Sequence, residues 1–247
     1  AAGFKGCLDC IIGGADVTSY IAKAKDGELI TDYKTACPVN PGKVICVGLN
    51  YNAHAVNTGF TKGECPTLFS KFNDAVVGSG ADIYLPEYET TYDYEAELVI
   101  VIGKSGFNIP LENAEDYIFG YSCGNDLSVR VPQKKTTQWL IGKTLPGFGP
   151  VGPCIVTKDS FNPENANGIK SYVNGEMKQN GRTDDMIFTC KEVVSFASKY
   201  IALNPGDIIF TGTPAGVQLE LAPEESKWLK KGDVVTVEID GIGILEN

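Results

Sequence analysis

The stretch YDYEAELVIVI, residues 92–102, decides the fold. Aromatic and β-branched residues dominate it, and it is the longest strand signal in the chain. Side chains alternate along a strand, so Tyr94, Ala96, Leu98, Ile100 and Ile102 share one face, which reads as core. Glu95 and Glu97 share the other, about 6.5–7 Å apart along the chain. Val99 and Val101 follow them, so that face turns apolar at once. Two acids at the wet end of a half-buried face make a candidate site. On this stretch alone, an ordinary amphipathic strand with a solvated polar face is the simpler explanation.

The neighbouring sequence continues the β-rich pattern. KVICVGL from Lys43 reads as a short buried strand, followed by a connection rich in Asn and Gly. Residues 67–72 and 76–85 read as strands, the second broken by Gly78 and Gly80, and residues 119–126 as extended chain. A short helix is expected over 111–118. Asn174-Gly175 between two extended segments predicts a type I′ hairpin. The best helix spans 189–201, with Thr189 as cap, Glu192 at the capping-box position, and Val193, Phe196, Ala197, Tyr200 and Ile201 at helical spacing. Residues 208–211 and 234–239 read as closing strands. The expected class is β-rich α+β, with residues 1–42 as a small N-terminal segment and 43–247 as the main domain.

Composition narrows the function. The chain has 247 residues, 43% of them hydrophobic, enough for a packed core. The 31 acidic residues outweigh 21 basic ones, for a net charge of −10, and the basic pair Lys134-Lys135 is too short a run to offset it. Nucleic acid and anionic membrane are therefore poor partners. No apolar run reaches the ~18–20 residues of a membrane span. AAGFKGCLDC lacks the pattern of a signal peptide, so a cytoplasmic protein is expected. Eight cysteines include one C-x-x-C, Cys7 and Cys10, without a second pair at zinc-site spacing, and they read as reduced thiols. There is a single histidine, His54. A multi-histidine zinc site is excluded, and any catalytic metal must be held by oxygen or thiolate.

Three more segments can carry chemistry. GNDLSVRVPQ (124–133) holds Asp126, Arg130 and Gln133, and Asp126 could complete an oxygen set for Mg²⁺ with Glu95 and Glu97. GLNYNAHAVNTG (48–59) carries His54 in a polar connection. IIFTGTPAG (208–216) puts small residues and Thr213 after a strand, where backbone can approach a ligand.

In order, NY-x-x-H, LFSKF, DYEAEL, GYSCGNDLSVR-x-x-Q, WLIGK, PGDIIFTGTPAGV and KKGDVVTVEIDGIG resemble the fumarylacetoacetate hydrolase family from about residue 43 to 247. The resemblance implies a mixed, rolled β-sandwich with a few short helices, usually a homodimer. It implies metal ligands at Glu95, Glu97 and Asp126, for Mg²⁺ or Mn²⁺. Substrate-binding groups would be Lys71, Arg130, Gln133, Thr213 and Tyr51. Lys143 and His54 would be catalytic, with His54 on a lid.

This set suits a small anionic 2-oxo acid, whose carboxylate and keto oxygens can chelate a metal and whose enolate the metal stabilises. Hydrolytic C–C cleavage of a 2,4-dioxo acid of the acylpyruvate type is the leading expectation. Oxaloacetate decarboxylation and keto–enol or double-bond isomerisation share the enolate. A catalytically silent 2-oxo acid binder is the reading from another class. One departure weakens hydrolysis: hydrolytic members typically carry glutamate three residues after the lid histidine, and this chain has Asn57. An amide cannot neutralise an imidazolium, so His54 would be a weaker base toward water. Glu64 is the candidate replacement.

Overall fold

The computed structural model describes residues 11–16, 18, 22–23, 36–52, 63–222 and 224–247. His54, Asn57, Cys7 and Cys10 lie outside the described residues.

Seven strands form a mixed sheet: β1 (Val44–Gly48), β2 (Thr67–Lys71), β3 (Val76–Val77), β5 (Ala96–Ile102), β6 (Ile118–Asn125), β8 (Gly149–Thr157) and β11 (Ile208–Phe210). Their order is β2-β1-β11-β5-β6-β8-β3, with β1–β11 and β3–β8 parallel and the other pairs antiparallel. A second, antiparallel sheet runs β10-β9-β12-β13, from β9 (Gly168–Val173), β10 (Glu176–Arg182), β12 (Val235–Ile239) and β13 (Gly243–Glu246). The short pair β4 (Tyr92–Asp93) and β7 (Ser128–Val129) stands apart.

The larger sheet is covered on both faces, and alternation sorts its residues. From β1, Ile45 and Val47 join Leu98, Ile100 and Ile102 of β5 in a core shared with Ile169, Val237, Ile239 and Leu245 of the smaller sheet. Val44 and Cys46 join Val99, Val101, Ile208 and Phe210 in a second core on the opposite face. Burying such side chains contributes about 1.5–3 kcal/mol each. A third cluster, with Tyr92, Tyr94, Leu127, Val129 and Phe148, underlies the short β4–β7 pair.

Several sequence expectations hold. Asn174 and Gly175 both take positive φ, 53° and 79°, between β9 and β10, as a type I′ turn requires. The best helix is α3 (Cys190–Ser198), with Thr189 and Glu192 forming the capping box; it ends before Lys199, three residues short of the expected limit. The expected helix over 111–118 is a 3₁₀ helix, Leu111–Tyr117. Other expectations need correction. The long strand over 92–102 breaks after Asp93, and β5 begins at Ala96. Its glutamate face is not wet: all of β5 is buried because it lies in mid-sheet. The extended run over 76–85 shrinks to β3.

Candidate active site

The antiparallel β5–β6 register places Ala96 opposite Asn125 and Glu97 opposite Gly124. The chain ends around that pairing therefore meet. Asn125 Oδ1 accepts from the Glu95 N–H at 3.0 Å, and the Asp126 N–H donates to the Glu95 carbonyl at 3.0 Å. Side-chain oxygens of Glu95, Glu97 and Asp126 come within 4.8 Å of one another, all three residues buried.

Charge around this group is distributed unevenly. Lys143, at the end of the short helix α2 (Leu140–Lys143), donates from Nζ to Glu95 Oε2 at 2.6 Å and Asp126 Oδ2 at 2.7 Å. Burial opposes its charge, but Asp126 and Glu95 outweigh that and raise its pKa, so it stays an ammonium. Arg130 opens helix α1 (Arg130–Gln133), and its Nη2 lies 2.7 Å from Glu95 Oε1. Glu97 differs. Its Oε2 accepts from the Gly212 N–H at 2.7 Å, and no described cation forms an ion pair with it. Burial first, then Asp126 and Glu95, push its carboxyl well above the usual carboxylate range. Gly212 can present that N–H because it sits at φ 96°; a Cβ there would lie 2.8 Å from Asn50 Cβ.

A buried carboxylate facing two others without a cation of its own is what a divalent ion would relieve. Three converging carboxylate oxygens are hard donors suited to Mg²⁺ or Mn²⁺. The residues present thus fit the metal that the sequence implied.

The group forms the floor of a cavity of about 310 Å³. Its lining includes Glu95, Glu97, Arg130, Gln133, Lys143 and Thr213, together with Val47, Phe69, Trp139 and Leu219. Six sequence candidates therefore meet at one place, with Asp126 behind them. Arg130 Nη1 donates to Gln133 Oε1 at 3.0 Å, which turns the Gln133 amide nitrogen away from the guanidinium. The Thr213 hydroxyl is committed: it donates to the Ala96 carbonyl at 2.9 Å and accepts from Gln179 Nε2 at 2.8 Å.

Two of the substrate-binding candidates lie apart from the cavity lining. Lys71 does not line the cavity. It lies beneath it, with Nζ 2.5 Å from Asp126 Oδ1 and donating to the carbonyls of Leu127 at 3.1 Å, Phe148 at 2.8 Å and Lys143. Tyr51 is fully buried in the core shared with Cys190 and Val193, where an apolar environment favours its ring. Glu64 is exposed and outside the cavity lining.

Asp93 was missed in the sequence, where it looked like part of the strand. Fully buried, it accepts Arg130 Nε–H at 2.8 Å and the N–H groups of Tyr94, Gln218 and Leu219 at 2.9–3.0 Å. Its signal was its place two residues before Glu95, on the alternating side that carries Glu95 and Glu97, with an arginine further along. Gln179 was also missed. Its four polar contacts, to Ala96 N–H, Ser171 Oγ, Thr213 Oγ1 and the Pro214 carbonyl, tie β10 to the start of β5.

Comparison with known proteins agrees with the architecture. Residues 43–247 match the family model described as fumarylacetoacetate hydrolase C-terminal. A fumarylacetoacetate hydrolase domain-containing protein 2 homolog of Dictyostelium discoideum is 43% identical over 88% of this chain and 74% of its own length. The mitochondrial oxaloacetate tautomerase of Xenopus laevis is 43% identical over 84% of this chain, which spans 65% of that relative. Among solved structures, a fumarylacetoacetate hydrolase from Exiguobacterium antarcticum superposes with a TM-score of 0.86 at 35% identity, covering 98% of this chain and 86% of that one. A 2-hydroxyhepta-2,4-diene-1,7-dioate isomerase from Mycobacterium marinum superposes with a TM-score of 0.75 at 38% identity, covering 86% of this chain and 75% of that one. No helix among the described residues is long and apolar enough to cross a membrane. This chain belongs to the fumarylacetoacetate hydrolase family.

Proposed function

We propose that the chain is a divalent-metal-dependent enzyme that interconverts the keto and enol forms of a small 2-oxo acid, with oxaloacetate as the first substrate to test. The observation that carries this reading is the convergence of Glu95, Glu97 and Asp126 at a cavity that Glu95 and Glu97 line together with Arg130, Gln133, Lys143 and Thr213. A divalent ion held by the three carboxylates would polarise the keto oxygen and stabilise the enolate as a Lewis acid.

The chain's own groups supply the rest. The Gln133 amide nitrogen and the Thr213 main-chain N–H are the neutral donors for the substrate carboxylate, since the Thr213 hydroxyl hydrogen is used by Ala96. Arg130 orients Gln133 and adds positive charge. Lys143 stays protonated, so it stabilises negative charge on the substrate oxygen and can deliver a proton there. His54 is assigned to the carbon proton by the family resemblance alone.

Tautomerisation takes precedence over hydrolysis because it needs no activated water, and Asn57 stands where hydrolytic members typically carry the glutamate three residues after the lid histidine. Relatives named as an oxaloacetate tautomerase and a diene-dioate isomerase favour the same side. Acylpyruvate-type hydrolysis is the second reading, favoured by the likeness to a fumarylacetoacetate hydrolase over 98% of the chain. A homodimer comes with the resemblance, and a cytoplasmic location with the reading of the cysteines as reduced thiols. The mitochondrial name of the frog relative makes organelle fractionation the check on location.

The test follows the enol absorbance of oxaloacetate with Mg²⁺ and with EDTA, while mass spectrometry examines products from oxaloacetate and acetylpyruvate. Mg²⁺-dependent enol decay without pyruvate release supports the proposal. Acetate and pyruvate from acetylpyruvate would establish hydrolysis instead, and pyruvate from oxaloacetate a decarboxylase. Unaltered substrates in every condition, with metal-dependent binding, would mean a silent binder.

A further inference from the structure

We propose that Lys134 holds the far carboxylate of the substrate, so that the cavity selects 2-oxo dicarboxylates over 2-oxo monocarboxylates; the inference rests on the 2-oxo acid reading above. The floor network contains four buried carboxylates, Asp93, Glu95, Glu97 and Asp126, against three buried cations, Lys71, Arg130 and Lys143. One negative charge is left over. A divalent ion turns that into one positive charge, and a single substrate carboxylate neutralises it. A second carboxylate brought into the cavity finds no spare cation on the floor, and an unpaired buried charge is costly.

Among the described residues, the wall provides for it at one place. Lys134 caps helix α1, its N–H bonded to the Val131 carbonyl at 3.2 Å, and it is an exposed residue that lines the cavity. No described acid forms an ion pair with it. The adjacent Lys135 does not line the cavity and reaches Glu89 at 3.9 Å instead. The same lining includes Val47, Phe69, Trp139 and Leu219, apolar surface fit for a carbon chain and unable to hold a charge. The chain as a whole carries −10, which repels a dianion, so local cations must supply the attraction.

The test uses Mg²⁺-loaded protein and two acids of equal length, 2-oxoglutarate and 2-oxovalerate, which differ in a terminal carboxylate against a methyl group. Affinity is read by tryptophan fluorescence and by calorimetry for wild type, Lys134→Gln and Lys134→Glu. Lys134→Gln is expected to weaken 2-oxoglutarate roughly three- to fivefold, the upper scale of one exposed charge pair, and Lys134→Glu more. For 2-oxovalerate both variants should stay within about twofold of wild type. With oxaloacetate as substrate, the variants should raise KM more than they lower kcat. Equal weakening of both acids, or none, overturns the assignment while leaving the 2-oxo acid reading intact. Failure of wild type to bind either acid with Mg²⁺ would bring down that reading and the Lys134 assignment with it.

Discussion

Arg130 and Asp93 are joined twice through one oxygen: Asp93 Oδ2 lies 2.8 Å from both Nε and Nη2 of the guanidinium. Nη2 also reaches Glu95, and Nη1 donates to Gln133. Most of the arginine's donors are thus engaged inside the protein, and its part in the site is to set Glu95 and Gln133 as much as to meet a ligand. Burial opposes the guanidinium's charge, and Asp93 and Glu95 more than restore it.

Asp93→Asn should therefore damage stability and site together. It leaves a buried arginine with one anionic partner fewer and turns an amide toward backbone N–H groups of Tyr94, Gln218 and Leu219. Removing one partner of a buried pair costs about 3–5 kcal/mol. Denaturant unfolding should show a loss of that size, and KM should rise. A variant with wild-type stability would mean that Arg130 is held by Glu95 alone.

Glu97→Gln should act in the opposite sense on the metal-free protein. The carboxyl's folded pKa lies above its ordinary value, chiefly through burial and then through Asp126 and Glu95. The folded state then binds the proton more tightly than the unfolded one. Its stabilising contribution is present at low pH and lost as pH rises through the raised pKa. The neutral amide removes that loss, so Tm above the raised pKa should rise, by ~2–4 °C for each kcal/mol relieved. Divalent binding should disappear. In wild type, metal affinity should fall as pH drops through the same range, since the ion competes with the proton. Metal affinity that does not fall as pH drops would remove Glu97 from the ligand set.

What was legible in the sequence follows from which physics leaves a local signature. Alternation in 92–102 gave the sides of β5 correctly, with Glu95 and Glu97 together. It misjudged the wetness of that side, because a mid-sheet strand covered on both faces reads as a near-continuous apolar run, and two glutamates masked it. β8, GPVGPCIVT, was not expected at all: two prolines and two glycines look like breakers, yet the strand pairs with β6 on one side and with the very short β3 on the other. The site residues were legible as types and as ordered motifs. Their direction was not. Lys71 and Arg130 both read as anion binders, and only the packing shows one beneath the floor and the other at its wall.

Gly142 gives a prediction of a purely steric kind. A Cβ there would lie 2.4 Å from the Gln133 nitrogen and 2.5 Å from its Cα, so α1 and α2 touch through this residue. Gly142→Ala must push the helices apart, and they carry Gln133 and Lys143. Overpacking of this kind costs about 1–3 kcal/mol. Activity should fall further than stability, because a shift of ~1 Å at a catalytic group can cost a hundredfold in rate. Parallel measurement of kcat/KM and unfolding free energy checks this, and wild-type kcat/KM would show that the two helices do not fix the site.

Lys71 carries the last prediction. Its ammonium is the meeting point of three carbonyls, from Leu127, Lys143 and Phe148, and of Asp126 Oδ1. They come from three separate segments, at Asp126-Leu127, Lys143 and Phe148, so one buried charge holds the metal-facing aspartate and the backbone carrying Lys143 in a fixed relation. Lys71→Met keeps the apolar stem and removes every one of those bonds, leaving Asp126 short of a cation. A loss of about 3–5 kcal/mol is expected, with weaker divalent binding in whatever protein remains folded. Lys71→Arg should fail to rescue either property. A planar guanidinium spreads its donors in a fork, whereas these four oxygens converge on one point. Calorimetric titration with Mn²⁺ across wild type and both variants measures the effect. Wild-type affinity in Lys71→Met would show that Asp126 is oriented by Lys143 and the β5–β6 backbone without help from below.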